Sequence, residues 1–432
     1  MKKKFLSVII PVFNTSIKLL KQCVSSVAKL DTNDVEIIIV DDFSNSETES
    51  FLKSIKKKNI KVYRNFKNKG ISYSRNFGIK LSNSEYITFV DSDDYIFKNK
   101  FKLIKNSIIR NNNPDIAVTK FDTNYFKITD NKEFKDKNFK FKSREKIIYD
   151  FSKINFKSFW HFETVWCLFF KKEFLLQNKI KFENKAFRNE DQEYVIKSFF
   201  LSKKTLIINK KFYFYRIHNS NIRYNNQISE IKMFNGNIKL IENLINFFKR
   251  NKFKNNINNL PLTILESLIV SSVPFVYKIK NKTLIKMNNL ISKILSIFKE
   301  SALDRSKLNF LDVKTSLDHF FNNVINSKIK KNIYIYCASE SSIPIIHFLN
   351  DKKIHIKGLI DSNDNLKNKF FFNIKISSLN EVHREYIKNE NIIILVTHPE
   401  KKTYLKIKEQ IIKKGFLPSN IKNIGYKKIL SL

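Results

Sequence analysis

Acidic residues are half as numerous as basic ones in this chain, 40 against 80, yet several stand in tight groups. Asp41 and Asp42 follow one apolar run, and Asp91, Ser92, Asp93 and Asp94 follow another. Carboxylates crowded together repel one another, at a cost that a cation or a donor-rich ligand relieves. A divalent metal bridging to a substrate diphosphate meets that need, and would neutralise charge developing on a departing phosphate. Between the two groups lie Asn68, Gly70, Ser72, Arg75, Asn76 and Gly78. A glycine before a helix start lets backbone approach a ligand closely, and the helix N-terminus favours phosphate. Arg75, one turn in, can pair with phosphate or with the acidic edge. Standing alone, Asp41 and Asp42 also suit a capped, solvated turn.

The elements that must position these groups are legible as alternating strands and helices. Apolar runs predict strands at Ser7 to Val12, Val35 to Val40, Ile60 to Tyr63, Tyr86 to Val90 and Ile116 to Thr119. Leu19, Leu20, Cys23, Val24 and Val27 repeat at helical spacing behind possible caps at Asn14, Thr15 and Ser16. Ser72 to Leu81 and Phe101 to Ile109 read as further helices. Continuous apolar strands alternating with helices predict an α/β fold with a mainly parallel sheet covered on both faces. In such sheets ligands bind beyond the carboxyl ends of the strands, where Pro11, Phe13, Asn14 and both acidic groups fall.

These blocks resemble family 2 glycosyltransferases of the GT-A fold: SVIIPVFN from Ser7 to Asn14, Val40 with Asp41 and Asp42, Asn68 to Gly70 with Ser74 to Gly78, and YITFVDSDD from Tyr86 to Asp94. The resemblance implies transfer of a sugar from a nucleotide diphosphate sugar, a uridine one by family frequency, with Mn2+ or Mg2+. It implies that Pro11, Phe13 and Asp41 line the nucleobase pocket with Asp42 close by. Asn14, Gly70, Arg75, Asp91 and Ser92 would also meet the donor, and Asp93 would hold the metal. Phe43 departs from the family's pattern, which usually has glycine after the paired acids, so the loop near base or ribose should differ.

For the acceptor half, Glu190, Asp191, Gln192 and Glu193 are similar to the family's Glu-Asp motif, which assigns Asp191 as the base that takes the acceptor's hydroxyl proton. Glu190 would orient it or contact the acceptor. The bland alternative is an acidic first helical turn. Tyr213, Tyr215, Arg216, His218 and Ser220 look like the family's closing element, with His218 either near diphosphate or metal or hydrogen-bonding in a loop. Trp166 is either a stacking platform for an acceptor sugar or a core residue.

The chain of 432 residues predicts more than one core. A transferase domain is expected over 1–224, with its donor half at 1–120 and acceptor half at 121–224. A helical region follows at 225–330, where Leu240, Ile241, Leu244, Ile245 and Phe248 form a core stripe. Residues 331–432 resemble a Rossmann-like domain with strands at Ile333 to Tyr336, Ile354 to Ile360 and Ile392 to Val396. Its first turn, Cys337 to Ser342, has no glycine although Asp361 stands in the ribose position, which predicts a structural role.

Three distant cysteines, Cys23, Cys167 and Cys337, show no disulfide framework or zinc spacing and suit a reducing cytoplasm. Pro11 and Asn14 interrupt the opening apolar run, which argues against a signal peptide. Leu262 to Tyr277 is too short and interrupted to span a bilayer, so membrane association is expected to be peripheral. The formal net charge of +40 is dispersed. It allows contact with an anionic membrane but lacks the clustered basic and aromatic face of a nucleic-acid binder. A nucleotidyltransferase would carry a glycine- and lysine-rich triphosphate loop, and Pro11 to Ser16 is not one. The partners expected are a nucleotide diphosphate sugar and a glycan or lipid-linked glycan acceptor, with no specific nucleic acid.

Overall fold

The computed structural model describes residues 3–123, 145–149, 164–183, 190–216, 230–251, 264–265, 268, 280–297, 332–336, 342, 346, 349, 354–363, 366–368, 370–371, 374–388, 391–397 and 401–423. The chain divides into two compact units. The first holds Met1–Tyr125, Phe134–Ile228 and Lys239–Ile264; the second holds Phe126–Glu133, Ser229–Ile238 and Leu265–Leu432.

In the first unit β1 (Lys4–Val12), β2 (Val35–Asp41), β3 (Ile60–Arg64) and β4 (Ser84–Phe89) pair in parallel, in the order β3-β2-β1-β4. The inner strands are buried on both faces, with Val8, Ile9 and Ile10 fully so, each contributing about 1.5–3 kcal/mol of transfer free energy. At the edge, β3 buries only Ile60 and leaves Lys61, Val62 and Arg64 exposed. Helices α1 (Ile17–Val27), α2 (Ser46–Ser54), α3 (Ile71–Leu81) and α4 (Phe101–Arg110) connect or follow these strands. The expected strands and helices are present, with β4 starting two residues earlier than its apolar run. There Ser84 and Ser7 share a buried 2.6 Å hydrogen bond, and Glu36 accepts from Ser7 at 2.6 Å, so polar residues enter the sheet with partners.

Helix α2 has no apolar run long enough to announce it. Its signal is a cap: Asn45 accepts from the Thr48 amide at 3.0 Å, with Glu47 and Glu49 in the first turn. The caps expected for α1 are used otherwise. Ser16 holds the N-cap position without a side-chain bond, while Asn14 and Thr15 tie neighbouring loops together.

The other half of the sheet is mixed. Strands β8 (Leu168–Lys171), β6 (Ile116–Thr123) and β9 (Thr205–Tyr215) continue from β4, with β5 (Tyr95–Ile96) and β7 (Glu145–Ile148) on β9. β8 runs antiparallel to β4 and β6, whereas β9 is parallel to β6. Helices α5 (Lys172–Gln177) and α6 (Glu190–Leu201) flank it. Beyond lies α7 (Glu230–Arg250), in which Leu240, Ile241, Leu244, Ile245 and Phe248 are all buried, as the stripe predicts. Phe248 meets Phe200 of α6 edge-on at 5.0 Å.

The second unit holds α8 (Asn281–Ile297) and a six-stranded sheet. Its strands are β10 (Asn332–Tyr336), β11 (Ile356–Ile360), β12 (Phe370–Phe371), β13 (Ile374–Ser377), β14 (Ile392–Val396) and β15 (Ile421–Asn423). The order is β12-β13-β11-β10-β14-β15, parallel except for β12. Helices α9 (Leu379–Lys388) and α10 (Lys401–Lys413) supply Val382, Tyr386, Ile407 and Ile411 to its core. A parallel sheet agrees with the alternation read from residues 331–432. Of the expected turn, Cys337 to Ser342, only Ser342 is among the described residues. Asp361 follows β11 and accepts from the Asn363 amide at 2.9 Å.

Candidate active site

At the carboxyl ends of β1 and β2 the chain is stitched by its own polar groups. Pro11 lies beside Val40 of β2 and past the last β1–β4 pair, Ile9 with Phe89, so its missing N–H breaks no bond between β1 and β4. Asn14, at φ +50°, accepts from the Asn45 amide at 2.7 Å, and its own amide donates to Ser44 Oγ at 3.1 Å. Thr15 and Ser92 share a 2.6 Å hydroxyl contact, joining the first loop to the Asp91–Asp94 turn.

The paired acids have different tasks. Asp41 is buried, accepts from the Ser44 amide at 2.9 Å and pairs with the Arg64 guanidinium. Asp42 accepts from Asn65 Nδ2 at 2.7 Å and from the backbone amides of Lys69 at 2.8 Å and Gly70 at 2.7 Å. Its carboxylate therefore holds the loop that carries Gly70 in place, which is a positioning task more than a ligand contact. Gly70 caps α3 at φ +86°, a conformation that glycine adopts without steric cost. At Gly78 a Cβ would lie 2.4 Å from Ile9 Cγ2, so α3 presses directly on β1.

The Asp91–Asp94 turn is held from below by β9. Tyr213 donates to Asp94 Oδ2 at 2.5 Å and accepts from the Asp91 amide at 3.1 Å, while the Arg216 amide donates to Asp94 Oδ1 at 2.7 Å. Burial, with Asp93 and Asp91 nearby, raises the Asp94 pKa well above the usual carboxylate range. Burial also raises Asp91, although Arg75 pulls it down.

Arg75 joins this turn to the acceptor side. Its Nη2 pairs with Asp91 Oδ1 at 3.1 Å and its Nη1 with Glu190 Oε1 at 3.1 Å. The guanidinium is almost fully buried over the Phe182 ring, 5.3 Å from its centroid. Burial opposes its charge, but Asp91, Glu190 and Asp191 together outweigh that and raise its pKa. Asp191 starts α6 next to Glu190, and burial followed by the Glu190 charge pushes its pKa up to about 7.

Trp166 is a core residue. It is 8% exposed, lies nearly parallel to Tyr213 at 4.8 Å and Tyr215 at 5.4 Å, and meets Phe121 edge-on. Among the described residues those rings pack around it, which is the core alternative. His218 and Ser220 lie outside the described residues. One contributor was not singled out from the sequence, Arg64 beside Asp41; Asp94 and Arg216 were named there only as members of their motifs. Arg216 is 8% exposed, packs its guanidinium 4.8 Å over Tyr95, and has no hydrogen-bond partner at Nη1 or Nη2 among the described residues. The signal for Arg216 was its place in the closing Tyr-x-Tyr-Arg element; its burial over Tyr95 is visible only in three dimensions.

A parallel half-sheet with acids at its carboxyl edge, completed by a mixed half that supplies a second acidic pair, defines the class. The chain belongs to glycosyl transferase family 2, whose sequence profile matches residues 7–175. It is 31% identical over 228 residues to poly(ribitol-phosphate) beta-N-acetylglucosaminyltransferase TarP of Staphylococcus aureus, covering 48% of this chain and 67% of that protein. It is 40% identical over 97 residues to an uncharacterized glycosyltransferase of Rickettsia bellii, covering 22% of this chain but only 14% of that protein. Among solved structures, S. aureus TarS 1-349 in complex with UDP-GlcNAc superposes with a TM-score of 0.53 at 18% identity, covering 81% of this chain and 93% of that one. That likeness establishes the GT-A fold.

Proposed function

We propose that this glycosyltransferase moves a sugar from a uridine diphosphate sugar, with inversion, to a hydroxyl of a surface-glycan acceptor, Asp191 acting as general base. The observation that carries the reading is the Arg75 bridge, which makes the donor-side turn and the Glu190–Asp191 pair one site. A carboxylate titrating near 7 is a competent base at neutral pH. The acceptor oxygen attacks the anomeric carbon and its proton passes to Asp191. The bond from that carbon to the diphosphate oxygen breaks, and the nucleoside diphosphate leaves with the electron pair. Arg216, buried with Nη1 and Nη2 lacking a hydrogen-bond partner among the described residues, suits an anionic leaving group.

Family 2 transferases of this fold generally use a divalent metal. Among the described residues no three ligating side chains converge, and Asp91 and Asp94 already have partners. By the family resemblance Asp93 would hold a Mn2+ or Mg2+ ion, with His218 a second candidate ligand. When bound, the ion would neutralise charge on the leaving diphosphate. Pro11, Phe13, Asn14, Asp41 and Ser92 are assigned to the nucleoside side of this donor site, with Asp42 and Gly70 shaping it.

The UDP-GlcNAc bound by TarS supports a uridine donor, and the polymer in the TarP name supports a surface-polymer acceptor. No described helix is long and apolar enough to cross a membrane, while the net charge of +40 supports peripheral contact with an anionic cytoplasmic leaflet. Calorimetric titration with UDP, GDP and CDP, in Mn2+ and again in chelator, tests the donor assignment. Selective, Mn2+-dependent UDP binding is expected; no binding to any nucleotide would overturn it.

A further inference from the structure

Phe43 stands directly after Asp42 with φ +66°, a left-handed conformation that is a genuine outlier for a bulky residue. Glycine would sit there without steric cost. The ring is not kept for core packing, since Phe43 is 49% exposed. It is backed by the Arg64 guanidinium, 5.0 Å from the ring centroid. Arg64 is itself fixed by ion pairs to Asp41 and to Glu49 at 3.1 Å, and by a 2.9 Å bond to the Ser44 carbonyl. An aromatic ring braced by a cation that two carboxylates hold is a stiff, flat platform.

The platform does not stand alone. Phe13, 51% exposed, is on the neighbouring loop, which the Asn14–Ser44 and Asn45–Asn14 hydrogen bonds of 3.1 and 2.7 Å tie to the Phe43 loop. Phe13 and Phe43, both about half exposed, thus stand one residue past Val12 and two past Asp41, the paired ends of adjacent parallel strands. That is the edge where α/β sheets bind ligands, and flat aromatic surfaces there suit a flat heteroaromatic group.

We infer that Phe43 stacks on the donor's nucleobase, and that its unfavourable backbone is retained for this contact. The inference rests on the donor reading given above and adds to it a base-binding residue at a position where the fold alone would favour glycine. Stacking by a side chain acts on the base and not on the phosphates, so ligands with and without a base separate it from general damage to the site.

The test compares wild type, Phe43→Gly and Phe43→Tyr by melting temperature and by calorimetric binding of UDP and of inorganic pyrophosphate, all in Mn2+. Phe43→Gly is expected to melt no lower than wild type and to bind UDP about tenfold more weakly. Its pyrophosphate affinity stays at the wild-type value, and Phe43→Tyr binds UDP as wild type does. Unchanged UDP affinity in Phe43→Gly, or equal losses for UDP and pyrophosphate, would overturn the role of Phe43 and leave the donor site standing. Failure of wild type to bind UDP overturns both.

Discussion

Three aspartates within four residues can share one turn only if each meets a different environment. Asp91 leans on Arg75, and Asp94 is tied by Tyr213 and the Arg216 amide, yet both are raised because burial and neighbouring acids outweigh those partners. Asp93 contributes to the raised state of both. Removing its charge therefore eases the repulsion on Asp91 and Asp94. Asp93→Asn is expected to raise the melting temperature without ligand by about 2 °C while abolishing the Mn2+ dependence of UDP binding. Scanning fluorimetry beside calorimetry checks this; a lower melting temperature would show that Asp93 is held for stability. The spacing of the acids in the chain exposes the cluster but not this division of labour. Likewise Asp41 and Asp42 are equivalent as letters, and only the folded loops reveal that three donors from Asn65, Lys69 and Gly70 engage Asp42. Trp166 carried no signal that separates platform from core, because an aromatic next to apolar residues serves both.

At the scale of elements, α3 is the piece that everything else depends on. It presents Gly70 at its start and Arg75 one turn later, and Gly78 lets it lie against Ile9 of β1. Gly78→Ala would force the helix or the strand to move, because its Cβ would meet Ile9 Cγ2 at 2.4 Å. A loss of about 1–3 kcal/mol in urea unfolding is expected, the usual cost of overpacking. An unchanged midpoint would mean that Ile9 turns aside freely. Apolar runs made β1 and β2 legible in advance, since strands buried on both faces must be continuously apolar. Helix α2 was not legible that way, because it is short and buries only Thr48 and Leu52. Nor was the mixed direction of β8 and β9, which pairing decides and residue type does not.

Across the whole molecule, a site is assembled from pieces far apart in sequence. Arg75 and Glu190 are separated by 115 positions, yet one ion pair joins them, and Asp191 acquires its raised pKa from the burial and charge that this assembly creates. Resemblance of short blocks pointed to both halves, but the coupling between them appears only in the fold. The most direct test of the account is the pH dependence of UDP-sugar turnover, measured for wild type and Asp191→Asn at pH 5 to 9. A base works in its deprotonated form, so wild-type turnover should be lost as pH falls through about 7 and recovered above it. Asp191→Asn should bind UDP normally, turn over about a thousandfold more slowly above pH 7 and lose the fall in turnover on the acid side. Turnover in Asp191→Asn at the wild-type rate, with the same pH profile, would contradict the account.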